Sequence, residues 1–176
     1  MRIVAGKYKG LQIPLPKNGD IRPTTDRAKE ALFNILIHKH DLSSLKVLDL
    51  FCGSGNMSIE FASRGCPSVT GVELNSPVVK AVQNFIALRG IEEVEIVKSD
   101  VFRFIARSQE KYDVIFADPP YALATIKDLP KLIFESTLLT PGGILIMEHA
   151  SQLSWNHPSW VESRNYGQSV FSFFSI

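Results

Sequence analysis

The chain has 176 residues, 45% of them hydrophobic and 21% charged, a length suited to one domain with a large core. No apolar run approaches the roughly 18 residues of a membrane span. Net charge is only +1, but residues 1–40 carry eight Lys/Arg against three Asp/Glu, whereas residues 41–176 carry eleven against fifteen. A basic front end on a mildly acidic body points either to a polyanion contact confined to one region or to a lysine-rich solvated surface.

"MRIVAGKYKG" alternates and is charged, unlike a secretory leader, so a cytoplasmic protein is expected. "RIVAG" and "GLQIP" around "KYK" read as a β-hairpin, and "LPKNGDIRPTT" as loop. Thr24 or Thr25 then caps a helix through "DRAKEALFNILIH", with Ala28, Leu32, Ile35 and Leu36 on its apolar face. From Lys46 onward strands and helices alternate. "KVLDLF", "VTGVEL", "VEIVKSD", "YDVIFAD" and "GGILIME" are strands. "NMSIEFASRG" is a helix closed by Gly65, and "SPVVKAVQNFIALRG" a helix capped by Ser76 with Pro77 in its first turn and Gly90 at its end. "WVESRNYGQSVFSFFSI" reads as a closing antiparallel pair. The expected fold class is therefore α/β: a doubly wound, mostly parallel, seven-stranded sheet, with ligands at the strands' C-terminal ends. One domain is expected over residues 1–176, with 1–40 a hairpin and helix extension and 41–176 the core. Cys52 and Cys66 match no redox or zinc spacing and read as reduced thiols. The histidines lack metal-ligand spacing, so no metal is expected.

Three stretches end on one sheet edge. "LDLFCGSG" places Asp49 and Phe51 before Gly53 and Gly55, where a ligand can approach the backbone and a helix N-terminus begins. Glu73, followed by Leu74, stands twenty positions after Gly53, where a carboxylate can accept both ribose hydroxyls. Asp100 and Val101 follow a further strand, an acid and a backbone N–H able to read adenine. Together they indicate an adenosine-type cofactor. Ser58 satisfies the last small position of a dinucleotide fingerprint, which keeps a nicotinamide oxidoreductase open. However, Asp49 within "DxFxGxG" resembles the first motif of class I methyltransferases, and an acid near the turn suits cationic S-adenosylmethionine better than a pyrophosphate.

"VIFADPPYA" ends a buried strand in an acid and two prolines, which remove two donors and stiffen the turn. The Asp118 carboxylate and Pro119 carbonyl can accept both N–H bonds of an exocyclic amine and aim its lone pair. Pro120 stiffens the turn and Tyr121 can stack on the base. A plain rigid turn is the structural alternative. "DPPY" looks like the fourth motif of amino-directed N-methyltransferases and does not choose among adenine N6, cytosine N4, guanine N2 or protein glutamine.

"MRIVAGKYKG", "IRPTTDRAKEALFNIL", "LDLFCGSGNMSIEFASRG", "GVELN", "DPPY" and the late "YG" resemble, in that order, the bacterial RsmD family of 16S ribosomal RNA guanine-N2 methyltransferases. The resemblance spans nearly the whole chain. It implies that Asp49, Gly53, Gly55, Glu73, Asp100 and Val101 hold S-adenosylmethionine and that Asp118, Pro119, Pro120 and Tyr121 form the amine site. Lys7, Lys9, Arg22 and Arg27 become candidate phosphate contacts and Tyr8 a stacking contact to small-subunit ribosomal RNA, naked or within the subunit. Cys52 departs from the family's usual alanine, "NMSIEFA" from its usual helix start, and the aromatic "VFSFFSI" departs further. Other amino-group methyltransferases, and a nonenzymatic RNA-binding module, remain the rival readings at this point.

Overall fold

A computed structural model describes residues 1–14, 24–120, 123–150, 153–167 and 169–175. Arg22 and Tyr121 lie outside the described residues. Helix α1 spans Asp26–Lys39 and is followed by a short 3-10 turn at Leu42–Ser44. Strand and helix then alternate: β1 (Lys46–Leu50), α2 (Asn56–Ser63), β2 (Ser68–Glu73), α3 (Ser76–Arg89), β3 (Val94–Lys98), α4 (Val101–Arg107), β4 (Tyr112–Ala117), α5 (Leu129–Glu135) and β5 (Leu139–His149), closed by β6 (Trp160–Tyr166) and β7 (Ser169–Ser175). The seven strands lie in the order β3-β2-β1-β4-β5-β7-β6. The first five are parallel, and β7 runs antiparallel between β5 and β6. The expected doubly wound sheet is thus what the chain forms.

The parallel strands are apolar on both faces because helices cover both. One layer packs Leu32, Phe33 and Leu36 of α1, Ile59 and Phe61 of α2, and Val79 and Ile86 of α3 on Val47, Phe116 and Ile146. The other sets Ile105 of α4 and Ile133 of α5 on Leu48, Ile115 and Leu145. Among the described residues no helix is long and apolar enough to cross a membrane. Cys52 and Cys66 are free and buried, and burial pushes the Cys66 thiol up to about 12.

One local expectation needs correction. Asn75, not Ser76, caps α3: its side chain accepts from the Val78 N–H at 3.2 Å, and Ser76 is already helical. The N-terminal hairpin is short, an antiparallel pairing centred on the bridge of Arg2 with Gln12. Across it the Ile3 N–H donates to the Leu11 carbonyl at 3.0 Å and the Ile13 N–H to the Met1 carbonyl at 2.8 Å, while beyond it the Val4 and Ala5 N–H groups donate to the Glu60 carboxylate of α2 at 2.8 and 3.2 Å. Gly6 seats this segment on the end of α2. With φ of +84°, a Cβ there would lie 1.7 Å from the Ser63 carbonyl oxygen, so only glycine fits.

Lys29 and Glu60 form the buried centre of this packing. Lys29 Nζ donates to Glu60 at 3.1 Å, to Asn56 Oδ1 at 3.2 Å and to the Arg2 carbonyl at 2.6 Å. Arg64 adds a 2.7 Å bond to the same carboxylate and lays its guanidinium over the Phe33 ring. A buried charge this well supplied with partners is tolerated, whereas removal of one partner leaves a stranded ion.

Candidate functional site: the C-terminal rim of β1, β2 and β4

Strand register assembles the rim. Leu50 pairs with Val72 on one side and Ala117 on the other, and Glu73 pairs with Lys98. Neighbouring strands lie about 4.8 Å apart, so the residues just beyond these pairs fall side by side. They are the glycine turn after β1, Leu74 and Asn75 after β2, Asp100 after β3 and Asp118 after β4.

The turn is held in conformations that side chains rarely accept. Phe51 has φ of +64°, the one non-glycine residue with positive φ among the described residues. Gly53 and Gly55 follow at +51° and +73°. A Cβ on Gly55 would meet the Val82 side chain at 2.8 Å, so glycine is needed there both for φ and for space. Strain of this kind persists only where surrounding bonds enforce it. Those bonds run from the Cys52 N–H to the Val72 carbonyl at 2.9 Å and from the Gly55 N–H to the Cys52 carbonyl at 2.8 Å.

Glu73 is clamped across this turn. One carboxylate oxygen accepts from the Gly53 N–H at 3.1 Å and the other from the Asn75 N–H at 2.7 Å. Both oxygens keep lone pairs for a further donor. Asn75 therefore caps α3 and fixes Glu73 at once, a double duty that the run "ELNSP" does not advertise. Leu74 beside it is 62% exposed, an apolar side chain standing open at the rim. Asp100 caps α4 by accepting from the Arg103 N–H at 3.0 Å, and Val101 behind it is buried.

Asp49 occupies a different layer. It is 1% exposed, beneath the turn rather than in its mouth, and accepts from the Ser58 hydroxyl at 2.6 Å. Burial pushes its carboxyl up to about 7 against the pull of that bond, and the Glu73 charge adds to the rise. Ser58, noticed in sequence as a dinucleotide-type small residue, instead ties α2 to the end of β1.

Asp118 continues β4 onto the rim, its N–H reaching the Leu50 carbonyl at 3.4 Å. Pro119 is buried and Pro120 exposed, and the Pro120 carbonyl accepts from the Leu123 N–H at 2.8 Å.

The basic candidates divide between the two ends of α2. Arg27 is exposed in the first turn of α1, whose preceding residue Thr24 bonds to Glu148 near the end of β5, on the rim side. Lys7 and Tyr8 lie at the other end, where their Nζ and hydroxyl groups donate to Glu93 at 2.9 and 2.8 Å just before β3 begins. Lys9 is exposed in the same turn. A groove of about 420 Å³ between α1 and β6, lined by Asn34, His38, Arg164 and Tyr166, shares no residue with the rim. Among the described residues no group of three or more His, Cys, Asp or Glu could hold a metal ion.

The sequence profile of the family described as conserved hypothetical protein 95 matches residues 1–175. The chain belongs to that family. A Haemophilus influenzae relative, Ribosomal RNA small subunit methyltransferase D, is 32% identical over 155 residues, covering 84% of this chain and 78% of its own length. The structure of a hypothetical protein from Thermus thermophilus superposes with a TM-score of 0.88 at 27% identity, over 100% of this chain and 99% of that one. An RNA methyltransferase from Salinibacter ruber, solved with S-adenosyl-L-homocysteine, shares the fold at a TM-score of 0.69 and 16% identity, over 88% and 94% of the two chains. The conserved hypothetical protein 95 fold of this chain is thus the class I methyltransferase fold.

Proposed function

We propose that this protein transfers a methyl group from S-adenosylmethionine to the exocyclic N2 amine of a guanine in small-subunit ribosomal RNA. The observation that carries the reading is the Leu50–Ala117 register, which sets the strained glycine turn beside the Asp118-Pro119-Pro120 turn. Membership of a family that includes a small-subunit ribosomal RNA methyltransferase supports the substrate class.

The residues present fit the cofactor. Gly53 and Gly55 keep the turn free of side chains, Glu73 offers fixed acceptors for ribose hydroxyls, and Leu74 and Phe51 offer apolar surface at the rim. Asp100 and the Val101 N–H suit adenine, and Asp49 braces the turn from below. When bound, S-adenosylmethionine supplies an electrophilic methyl group. The chain's own part is to hold the amine. Asp118 and the Pro119 carbonyl accept its two N–H bonds, which turns the nitrogen lone pair outward, and positioning supplies the rate. Tyr121 is the proposed stacking partner of the base, which must leave any helix to enter.

Residues 1–176 act in this reading as one cytoplasmic domain without a metal, on naked RNA or on the subunit. Arg27 and Arg22 are the proposed phosphate contacts, with Lys7, Tyr8 and Lys9 reaching RNA only if it extends past the far end of α2. The test incubates protein and methyl-labelled cofactor with RNA and with subunits lacking the modification, then maps the product. Label on guanine N2, lost in Asp118→Ala, is the expected result. Label on adenine N6, or on protein alone, overturns it.

A further inference from the structure

Glu148 has no part in the reaction just described, yet it stands on the same rim. The β4–β5 register runs Phe116 with Ile146 and Ala117 with Met147. The first pair packs in the layer under α1, α2 and α3, and the second in the opposite layer. Continued alternation puts the next pair, Asp118 and Glu148, on the α1 side, one strand spacing apart. Thr24 confirms the side for Glu148: from the residue before the α1 cap, its hydroxyl donates to Glu148 Oε2 at 2.5 Å. Both are buried, at 6% and 3% exposure.

A carboxylate accepts at up to four lone-pair positions, and the Thr24 hydroxyl is among the partners that fix the orientation of this one. A base presenting two adjacent donor positions suits a wall of two carboxylates, and a base with a lone pair in that place is repelled by it. Guanine is the first kind, with N1–H beside its N2 amine. Adenine and 2-aminopurine carry an amine beside a bare N1 lone pair.

We infer that Glu148, oriented by Thr24, is the specificity residue that accepts the N1–H of the target guanine while Asp118 holds its amine. The inference rests on the guanine-N2 reaction proposed above. It explains how a turn common to several amine substrates selects one of them.

The experiment compares small-subunit RNA carrying guanine or 2-aminopurine at the mapped nucleotide, since both offer a 2-amine and only guanine offers N1–H. The wild-type protein is expected to favour guanine by about 10⁴-fold in kcat/KM, the lower end of the range by which a hydrogen-bonding site rejects an analogue lacking the donor. Glu148→Gln is expected to lower that ratio at least tenfold, through loss on guanine, with melting temperature and S-adenosylhomocysteine affinity unchanged. An unchanged ratio, or an equal loss on both RNAs, overturns the inference and leaves Glu148 as a tie for α1. Should Glu148→Gln not fold, Thr24→Val keeps the carboxylate and frees its orientation. A ratio that falls several-fold supports the inference, and a ratio that stays fixed overturns it. Wild-type label on a group other than guanine N2 would instead refute the reaction, an outcome separable from these.

Discussion

Glu60 and Asp49 are both carboxylates buried against α2, and they are treated in opposite ways. Glu60 accepts from two backbone N–H groups, a lysine and an arginine. Asp49, near the glycine turn, takes its hydrogen bonds from Ser58, and burial holds its carboxyl at about 7. A fully paired buried ion contributes to a particular packing, here the docking of the first residues on α1 and α2. An under-supplied one sits where the fold has been shaped for something besides stability. The contrast sorts the molecule into a far end of α2 that holds the chain together and a near end to which the proposed function assigns the ligands.

The largest effect is expected where that division is attacked at the far end. Glu60→Gln strands Lys29 and Arg64 in the interior and should cost about 3–5 kcal/mol in a denaturant titration. Activity of the remaining folded fraction should change little, and a selective loss of turnover would blur the division. At the near end the reverse is expected. Asp118→Ala should lower kcat by about 10²–10³-fold with an unaltered melting temperature, and a large drop in stability would make the proline turn a structural element.

Asp49 supplies a pH test. Below about pH 4 its carboxyl is protonated in folded and unfolded chains alike and contributes nothing. Between about 4 and 7 the unfolded chain releases the proton while the folded chain keeps it, so folding is progressively penalised, and above about 7 the penalty is constant, on the order of a few kcal/mol. Asp49→Asn should therefore match the wild type at pH 4 and exceed it in stability at pH 8. A difference that shrinks as pH rises contradicts the assignment. The smallest effects concern RNA. Arg27→Ala should weaken RNA binding by less than about tenfold and reduce the salt slope by about one. Lys7→Ala, at the far end and paired with Glu93, should leave both unchanged, and equal losses from the two would place RNA across both ends.

Most of the fold was legible because each core strand is a short apolar run bounded by turn residues, and Pro77 and Gly90 mark the ends of a helix. The rim candidates Gly53, Gly55, Glu73, Asp100 and Asp118 were legible because each stands where a strand ends. What was hidden was partnership. Ser58 reads as a small residue until Asp49 is seen beside it. Thr24 and Thr25 read alike as helix caps, yet only Thr25 caps α1, while Thr24 reaches Glu148, 124 positions away. The N-terminal hairpin forms as a short antiparallel pair, but the bonds of Val4 and Ala5 to a carboxylate on α2 are recorded by no local pattern in "RIVAG".

The placement of β7 bears on how this protein is made. β5 ends at His149, but its outer neighbour begins only at Ser169, with β6 emerging first and ending outermost. During translation β5 offers a bare hydrogen-bonding edge while its eventual cover is still unmade, and such edges recruit foreign strands. Nascent chains halted between these strands should depend on chaperones far more than chains released beyond β7.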